Sequence, residues 1–427
     1  MFEHVLRIME SCPCGRRHTL LTEECVVAPD AEEQMQAYIA AKGWRNPLIV
    51  ADDNTKQFAP RLTAHFPAKL TAVDGHAHAT EIWTAKVGEV VKAERPDVLI
   101  ACGSGSVHDI TRYVAHERGL PFLSYPTAAS VDGFVSGVAA MTWHGQKLTF
   151  PSSPPVASFA NPAVFASAPA RLTASGVGDV LGKYTSLFDW RVGQILTGEP
   201  LCEELAALES EAIGELVEAL SRRGEIGEEA YCEKVMNALQ ISGLAIQLSG
   251  NSRPASGAEH HMSHLWEMHR LNETNDGLHG EQVGVGLLAV VRTYHGALAD
   301  GLDYERISEI DPRKVMDRAA LEPVFRDLTD GILRENLPGG TPESSSLARI
   351  RITPDTDRRL KEAEKLLPSA EAIEDLLRRA GAPTTCGEIG LDGSPAFLEA
   401  SLRYAPYVRD RLTLLKVLMA AERSREA

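Results

Sequence analysis

Within the first 130 residues, short apolar runs alternate with segments of helical period: CVVAP, PLIVADDN, PDVLIACGSGS and PFLSYPT, separated by AEEQMQAYIAAKG and an Ala/Glu/Lys-rich stretch. Parallel strands need long crossovers and helices of this length supply them, so the pattern predicts a parallel sheet with helices on both faces. Ligands of such sheets bind beyond the carboxyl ends of the strands, which directs attention to the turns after LIVAD, LIACG and LSYPT. From about Pro151 to Pro169 the chain turns Pro-, Ser- and Ala-rich and the alternation stops. After Ala170 it reads as helix almost throughout, in segments such as CEELAALESEAIGELVEALSRR and YCEKVMNALQISGLAIQLSG. The expectation is an α/β Rossmann-like domain over 1–165 followed by an all-α domain over 166–427, with short helices between 301 and 385 and a fraying polar tail, AAERSREA. A length of 427 residues suits two such domains.

Lys and Arg number 43 against 59 for Asp and Glu, a net charge of −16 that repels nucleic-acid and anionic lipid surfaces. No nucleic-acid or membrane partner is expected, and an anionic substrate would need a local positive site built from a metal, a helix N-terminus or a few basic side chains. The opening MFEHVLRIMESCPCGRRH carries acid inside its apolar run, unlike a signal peptide, and no stretch approaches the roughly 18 apolar residues of a membrane span. A soluble cytoplasmic protein follows. The seven cysteines, Cys12, Cys14, Cys25, Cys102, Cys202, Cys232 and Cys386, are odd in number and scattered, which fits reduced thiols rather than a disulfide framework. Cys12, Cys14 and His18, with Cys25 further on, offer zinc-type ligands, but C-x-C is tighter than the usual structural spacing and no C-x-x-C follows, so the segment is expected to stand outside catalysis.

Three motifs carry chemistry. In ACGSGSVHDITRY an apolar strand runs into Gly103, Ser104, Gly105 and Ser106 and then a helix, where backbone N–H groups and the helix N-terminus suit a pyrophosphate. The turn is not the full G-x-G-x-x-G fingerprint, because His108 holds the last glycine's place, and a tight turn needing glycine explains it equally. SYPTAASVDGFVSG sets Thr127, Ser130, Asp132 and Ser136 beyond a strand end, suited to a ribose, an amide or a polyol, or simply to capping a loop. The third motif is more specific: Asp179 lies near a helix start, His260 and His264 share a helix face at i, i+4, and His279 enters another helix. Five of the 14 histidines fall within 260–279, and one carboxylate with two imidazoles suits zinc, nickel or ferrous iron with positions left open for a substrate oxygen.

Taken in order, ADDNT, GSGSVHD, PTAASVDGFVS, GVGDVLGKYTSLFDW, SRPASGAEHHMSH and LHGEQVGVG resemble the iron-containing, dehydroquinate-synthase-like alcohol dehydrogenases, and within them the sn-glycerol-1-phosphate dehydrogenase subgroup, over residues 50 to 290. The resemblance implies a dinucleotide-binding N-terminal domain, a helical metal- and substrate-binding domain, and NAD(P)H-dependent, metal-dependent reduction of dihydroxyacetone phosphate to sn-glycerol 1-phosphate. It implies Asp179, His260 and His279 as ligands of one divalent ion (Zn2+, Ni2+ or Fe2+). Gly103, Ser104, Gly105, Ser106 and Val107 would hold the pyrophosphate, with Thr127, Ser130 and Ser136 at the cofactor and Asp52 at the adenosine ribose. Asp132, Asp179 and His264 would line the substrate, His264 relaying a proton. Arg253 and Lys183 are the nearest basic residues in sequence for the phosphate. A homodimer is the expected assembly. Ser104 for the family's middle glycine and His108 for an apolar residue depart from the pattern.

Two other readings share the fold. A polyol or glycerol dehydrogenase would prefer an unphosphorylated substrate, and a dehydroquinate-synthase-like lyase would want a denser basic set and a glutamate where this chain has Asp179. A non-catalytic cofactor-binding module leaves the metal ligands without a purpose.

Overall fold

Strands β1 (Glu24–Val27), β2 (Pro47–Asp52), β3 (Lys69–Val73), β4 (Val98–Gly103), β5 (Phe122–Pro126) and β8 (Ala157–Ala160) form one sheet in the order β1-β8-β5-β4-β2-β3, and every pair in it is parallel. The computed structural model describes residues 2–144 and 146–426. β2, β4 and β5 are buried along their whole length, as strands covered on both faces must be, and this is why they read as continuous apolar runs. Alternate residues face two cores: Ile49, Ala51, Ile100, Cys102, Leu123 and Tyr125 on one side, Leu48, Val50, Leu99, Ala101 and Phe122 on the other. Helices Ala31–Lys42, Glu81–Glu94 and Gly105–Arg118 supply crossovers.

Three features differ from the sequence reading. β3 lies within the Ala/Glu/Lys-rich stretch; it is an edge strand, largely exposed, so it lacks the apolar run of its neighbours. β6 (Val138–Trp143) and β7 (Gln146–Pro151) form an antiparallel hairpin of their own. β8, of sequence ASFA, lies inside the Pro/Ser/Ala-rich segment taken for a boundary; all four residues are buried in a strand packed between β1 and β5, and only Phe159 among them is large.

Compactness divides the chain elsewhere than at 165/166, into a unit of residues 1–180 with 207–251 and a unit of 181–206 with 252–427. Helix Ala170–Leu181, up to Val180, and helix Glu228–Ser249 thus belong with the sheet. Gly176 shows why: a Cβ there would meet the Ala129 carbonyl oxygen at 2.2 Å, so the loop after β5 lies directly on the glycine.

Among the described residues of the second unit there are only helices and turns. Helices Lys183–Thr197, Ala258–Glu267 and His279–Asp300 share a core that includes Phe188, Trp266 and Tyr294. Short helices follow, such as Tyr304–Ser308 and Thr329–Asn336, as the charge- and Pro-rich composition predicts. The polar C-terminal stretch does not fray: helix Leu414–Glu426 continues through it, and the buried Arg423 guanidinium donates to the Tyr407 hydroxyl and the Ala320 carbonyl at 2.9 Å each. Ala427 lies outside the described residues. Among the described residues no helix is long and apolar enough to cross a membrane.

Candidate functional site

In the first unit the predicted cofactor turn is a strand-to-helix junction. Gly103 ends β4, Ser104 caps helix Gly105–Arg118, and Ser106 and Val107 lie in its first turn, so the helix opens with N–H groups at the carboxyl end of the sheet. Gly103 must be a glycine, because a Cβ would meet Val107 side-chain atoms at 2.6 Å. His108 is sealed in the junction: Nδ1 donates to the Ser104 carbonyl at 3.0 Å, Nε2 accepts from the Ser124 hydroxyl at 2.8 Å, and the ring edges onto Phe134. Burial drives its pKa down to about 3, so the ring is neutral and fills an apolar position with both nitrogens satisfied.

Thr127 follows β5 and donates its N–H to the Gly103 carbonyl at 3.1 Å, fixing the loop beside the turn. The Ser130 carbonyl accepts from the Ser175 hydroxyl at 3.3 Å, and the Ser136 hydroxyl accepts from Val138 N–H at 3.1 Å. Asp52 ends β2, where Oδ1 accepts from the N–H groups of Asn54 (2.9 Å) and Thr55 (2.7 Å). Half of that carboxylate therefore shapes its own loop. Asp132 and Asp179 come together, with Asp132 N–H donating to Asp179 Oδ2 at 3.0 Å and the Ser242 hydroxyl holding Asp132 Oδ2 at 3.0 Å. Asp179 is fully buried.

In the second unit three imidazoles converge. The ring centroids of His260, His264 and His279 are 5.4 to 6.1 Å apart. His260 Nδ1 donates to Glu259 Oε1 at 2.7 Å and His279 Nδ1 donates to Glu267 Oε1 at 2.9 Å. Each bond puts the proton on Nδ1 and leaves Nε2 as the lone-pair nitrogen, the tautomer a metal ligand needs. Burial pushes the Glu259 carboxyl up, but donors from His260, Thr185 (2.5 Å) and Gly257 N–H (2.7 Å) outweigh it and hold it below its ordinary value. Burial, reinforced by Arg409, keeps His264 well below the usual imidazole range. Sequence reasoning passed over Glu259 and Glu267; the signal was present in the EHHxxHxxE spacing, which puts an acid one residue before His260 and another three after His264.

The phosphate assignments fare differently. Arg253 is committed within its own unit, its Nε donating to Glu199 at 2.6 Å, a second nitrogen to the same carboxylate and NH1 to the Leu412 carbonyl at 2.7 Å. Its guanidinium is held in an ion pair with Glu199. Lys183 is fully buried at the start of helix Lys183–Thr197. A cluster that sequence reasoning did not find includes Arg409 and Arg411: burial and the neighbouring guanidiniums of Arg253 and Arg409 drive Arg411 down to about 9. Nothing in RYAPYVRDRL marks it in advance.

The architecture is that of the iron-containing alcohol dehydrogenases. A family model described as iron-containing alcohol dehydrogenase matches residues 26–169. The fold matches a probable glycerol dehydrogenase from Sinorhizobium meliloti (TM-score 0.60, 18 % identity, covering 95 % of this chain and 98 % of that one). It also matches a 1,3-propanediol oxidoreductase (TM-score 0.63, 17 % identity, 96 % and 100 %). Sequence relatives are nearer: glycerol-1-phosphate dehydrogenase, NAD(P)+, of Bacillus velezensis is 37 % identical over 325 residues, 74 % of this chain and 80 % of that protein. Its namesake in Bacillus licheniformis is 31 % identical over 434 residues, 98 % and 94 %. The chain belongs to the glycerol-1-phosphate dehydrogenase family.

Proposed function

We propose that the protein reduces dihydroxyacetone phosphate to sn-glycerol 1-phosphate, reversibly, with NADH or NADPH and one divalent ion. The observation that carries this reading is the convergence of His260, His264 and His279, with the Nδ1 atoms of His260 and His279 tied to carboxylates. That donor set fits a borderline divalent ion such as Zn2+, Ni2+ or Fe2+. Asp179, His260 and His279 are the proposed ligands. The Gly103–Val107 turn, with Thr127, Ser130 and Ser136, is the proposed cofactor site, and Asp52 retains Oδ2 for a ribose hydroxyl.

When bound, the ion supplies Lewis acidity at the C2 carbonyl and the reduced nicotinamide supplies the hydride. The chain's own residues hold substrate and proton. Asp132, fixed by Ser242, is suited to accept from a substrate hydroxyl. His264, neutral through burial, is suited to relay a proton by accepting on one ring nitrogen while releasing from the other. Arg409, whose charge His264 feels most strongly, is the basic group we assign to the substrate phosphate, in place of Arg253. A homodimer in the cytoplasm is the proposed assembly and location.

The test is a metal-resolved assay of dihydroxyacetone phosphate with both nicotinamides, followed by chiral analysis of the product. The sn-1 phosphate is expected, and Asp179→Ala, His260→Ala and His279→Ala should each lose metal and activity together. An sn-3 product, or reduction of unphosphorylated dihydroxyacetone alone, would overturn the assignment.

A further inference from the structure

Between helix Phe2–Ser11 and β1, the turn Cys12–His18 belongs to none of the motifs assigned above, yet it is built around a focus of its own. The Sγ atoms of Cys12 and Cys14 and a ring nitrogen of His18 all lie within 4.8 Å of one another, with Cys14 Sγ 3.2 Å from His18 Nε2. His18 is 6 % exposed, and its other nitrogen, Nδ1, donates to the Leu248 carbonyl at 2.7 Å, in the last turn of helix Glu228–Ser249. That bond places the proton on Nδ1 and turns the Nε2 lone pair toward the sulfurs. A ligating histidine is oriented in the same way elsewhere, by a carbonyl on its remote nitrogen. Arg16 N–H points at Cys14 Sγ from 3.4 Å. Two sulfurs and one imidazole are soft and borderline donors, the set zinc takes in structural sites.

We propose that Cys12, Cys14 and His18 hold a structural zinc ion, separate from the metal of the reaction. The fourth position on the ion falls to water or to a donor outside this turn. Binding releases the thiol protons to water and leaves two thiolates and a neutral imidazole on the ion. The ion anchors the N-terminal turn against helix Glu228–Ser249, through His18 and its bond to Leu248. The tight C-x-C spacing that argued against zinc in the sequence is no obstacle once the turn brings both sulfurs to one side.

Cobalt(II) substitution of the full-length protein tests this. Thiolate-bound cobalt has an intense near-ultraviolet charge-transfer band that a carboxylate and imidazole site lacks. The wild-type protein should show that band, saturating at one equivalent per chain, and His260→Ala should keep it. The Cys12→Ser, Cys14→Ser double variant should lose it, and elemental analysis should find one zinc fewer per chain in that variant. Should the double variant fail to fold, the wild-type and His260→Ala spectra decide alone. Absence of the band from cobalt-loaded wild type, unchanged zinc content in the double variant, or a Cys12–Cys14 disulfide in the isolated protein would overturn the proposal. None of these readouts depends on turnover.

Discussion

His108 gives the cofactor turn a pH dependence whose size follows from its burial. Folded, the ring holds off protonation until about pH 3, against an ordinary value of 6.5 for an exposed imidazole. The unfolded chain therefore binds a proton that the native state refuses, and native stability falls as pH drops below 6.5. Integrating the linkage between those two values gives a loss of about 2 kcal/mol on going from pH 7.5 to pH 5. His108→Leu removes this contribution and keeps an apolar side chain against Phe134, at a cost from the Ser124 hydroxyl, which loses its ring partner. Urea midpoints of wild type and variant at both pH values isolate the residue, because every other titrating group cancels in the difference. The variant should be the less stable at pH 7.5, by about 1–3 kcal/mol, and should recover about 2 kcal/mol relative to wild type at pH 5. A difference that stays constant across that range would mean His108 titrates as an open imidazole and that the turn is not sealed.

Glu259→Gln removes the charge that His260 Nδ1 leans on, and metal affinity should fall 10- to 100-fold, on the order of such outer carboxylates, as read by competition with a chelating dye. His264→Ala should lower kcat by about 10²-fold or more while elemental analysis finds the metal retained; a small change would reduce His264 to support of its neighbours. Arg409→Ala should raise KM for dihydroxyacetone phosphate and leave turnover of unphosphorylated dihydroxyacetone unchanged. Arg253→Ala should instead lower thermal stability, since it strands Glu199, and kinetics that show the reverse pattern would restore Arg253 as the phosphate residue.

The sheet was legible where burial on both faces forces a strand to be apolar throughout, as in PLIVAD and VLIACG. It was not legible in ASFA, where Phe159 is the one β-favouring residue among three small ones, nor in KLTAV, whose edge position leaves most of it exposed. The histidines could be read because i, i+4 spacing and local density survive in one dimension. Glu259 and Glu267 were marked only by the EHHxxHxxE spacing, a weak signal because an acid on a helix reads as a solvated face until its burial is known. The ion pair of Arg253 was hidden for a related reason: its place in sequence near the histidine helix says nothing of Glu199, a partner 54 residues away.

The start of helix Ala258–Glu267 shows how the second unit aims its histidines. Two buried carboxylates meet there, Asp189 accepting from Ala258 N–H at 2.9 Å and Glu259 from Gly257 N–H at 2.7 Å. Burial is the same for both, but their partners are not. Asp189 is bonded by Tyr294 and the Leu414 N–H at 2.8 Å each, and burial together with the charge of Glu259 lifts it to about 7. Glu259 has an imidazole N–H as well, and stays ionised. The two environments separate the roles of two otherwise similar acids. Asp189 ties helix Ala258–Glu267 to Tyr294 of helix His279–Asp300 and to the chain entering the C-terminal helix, so it fixes where His260 stands. Glu259 fixes which nitrogen His260 presents, and its negative charge, kept out of water, makes that nitrogen a stronger donor to a cation.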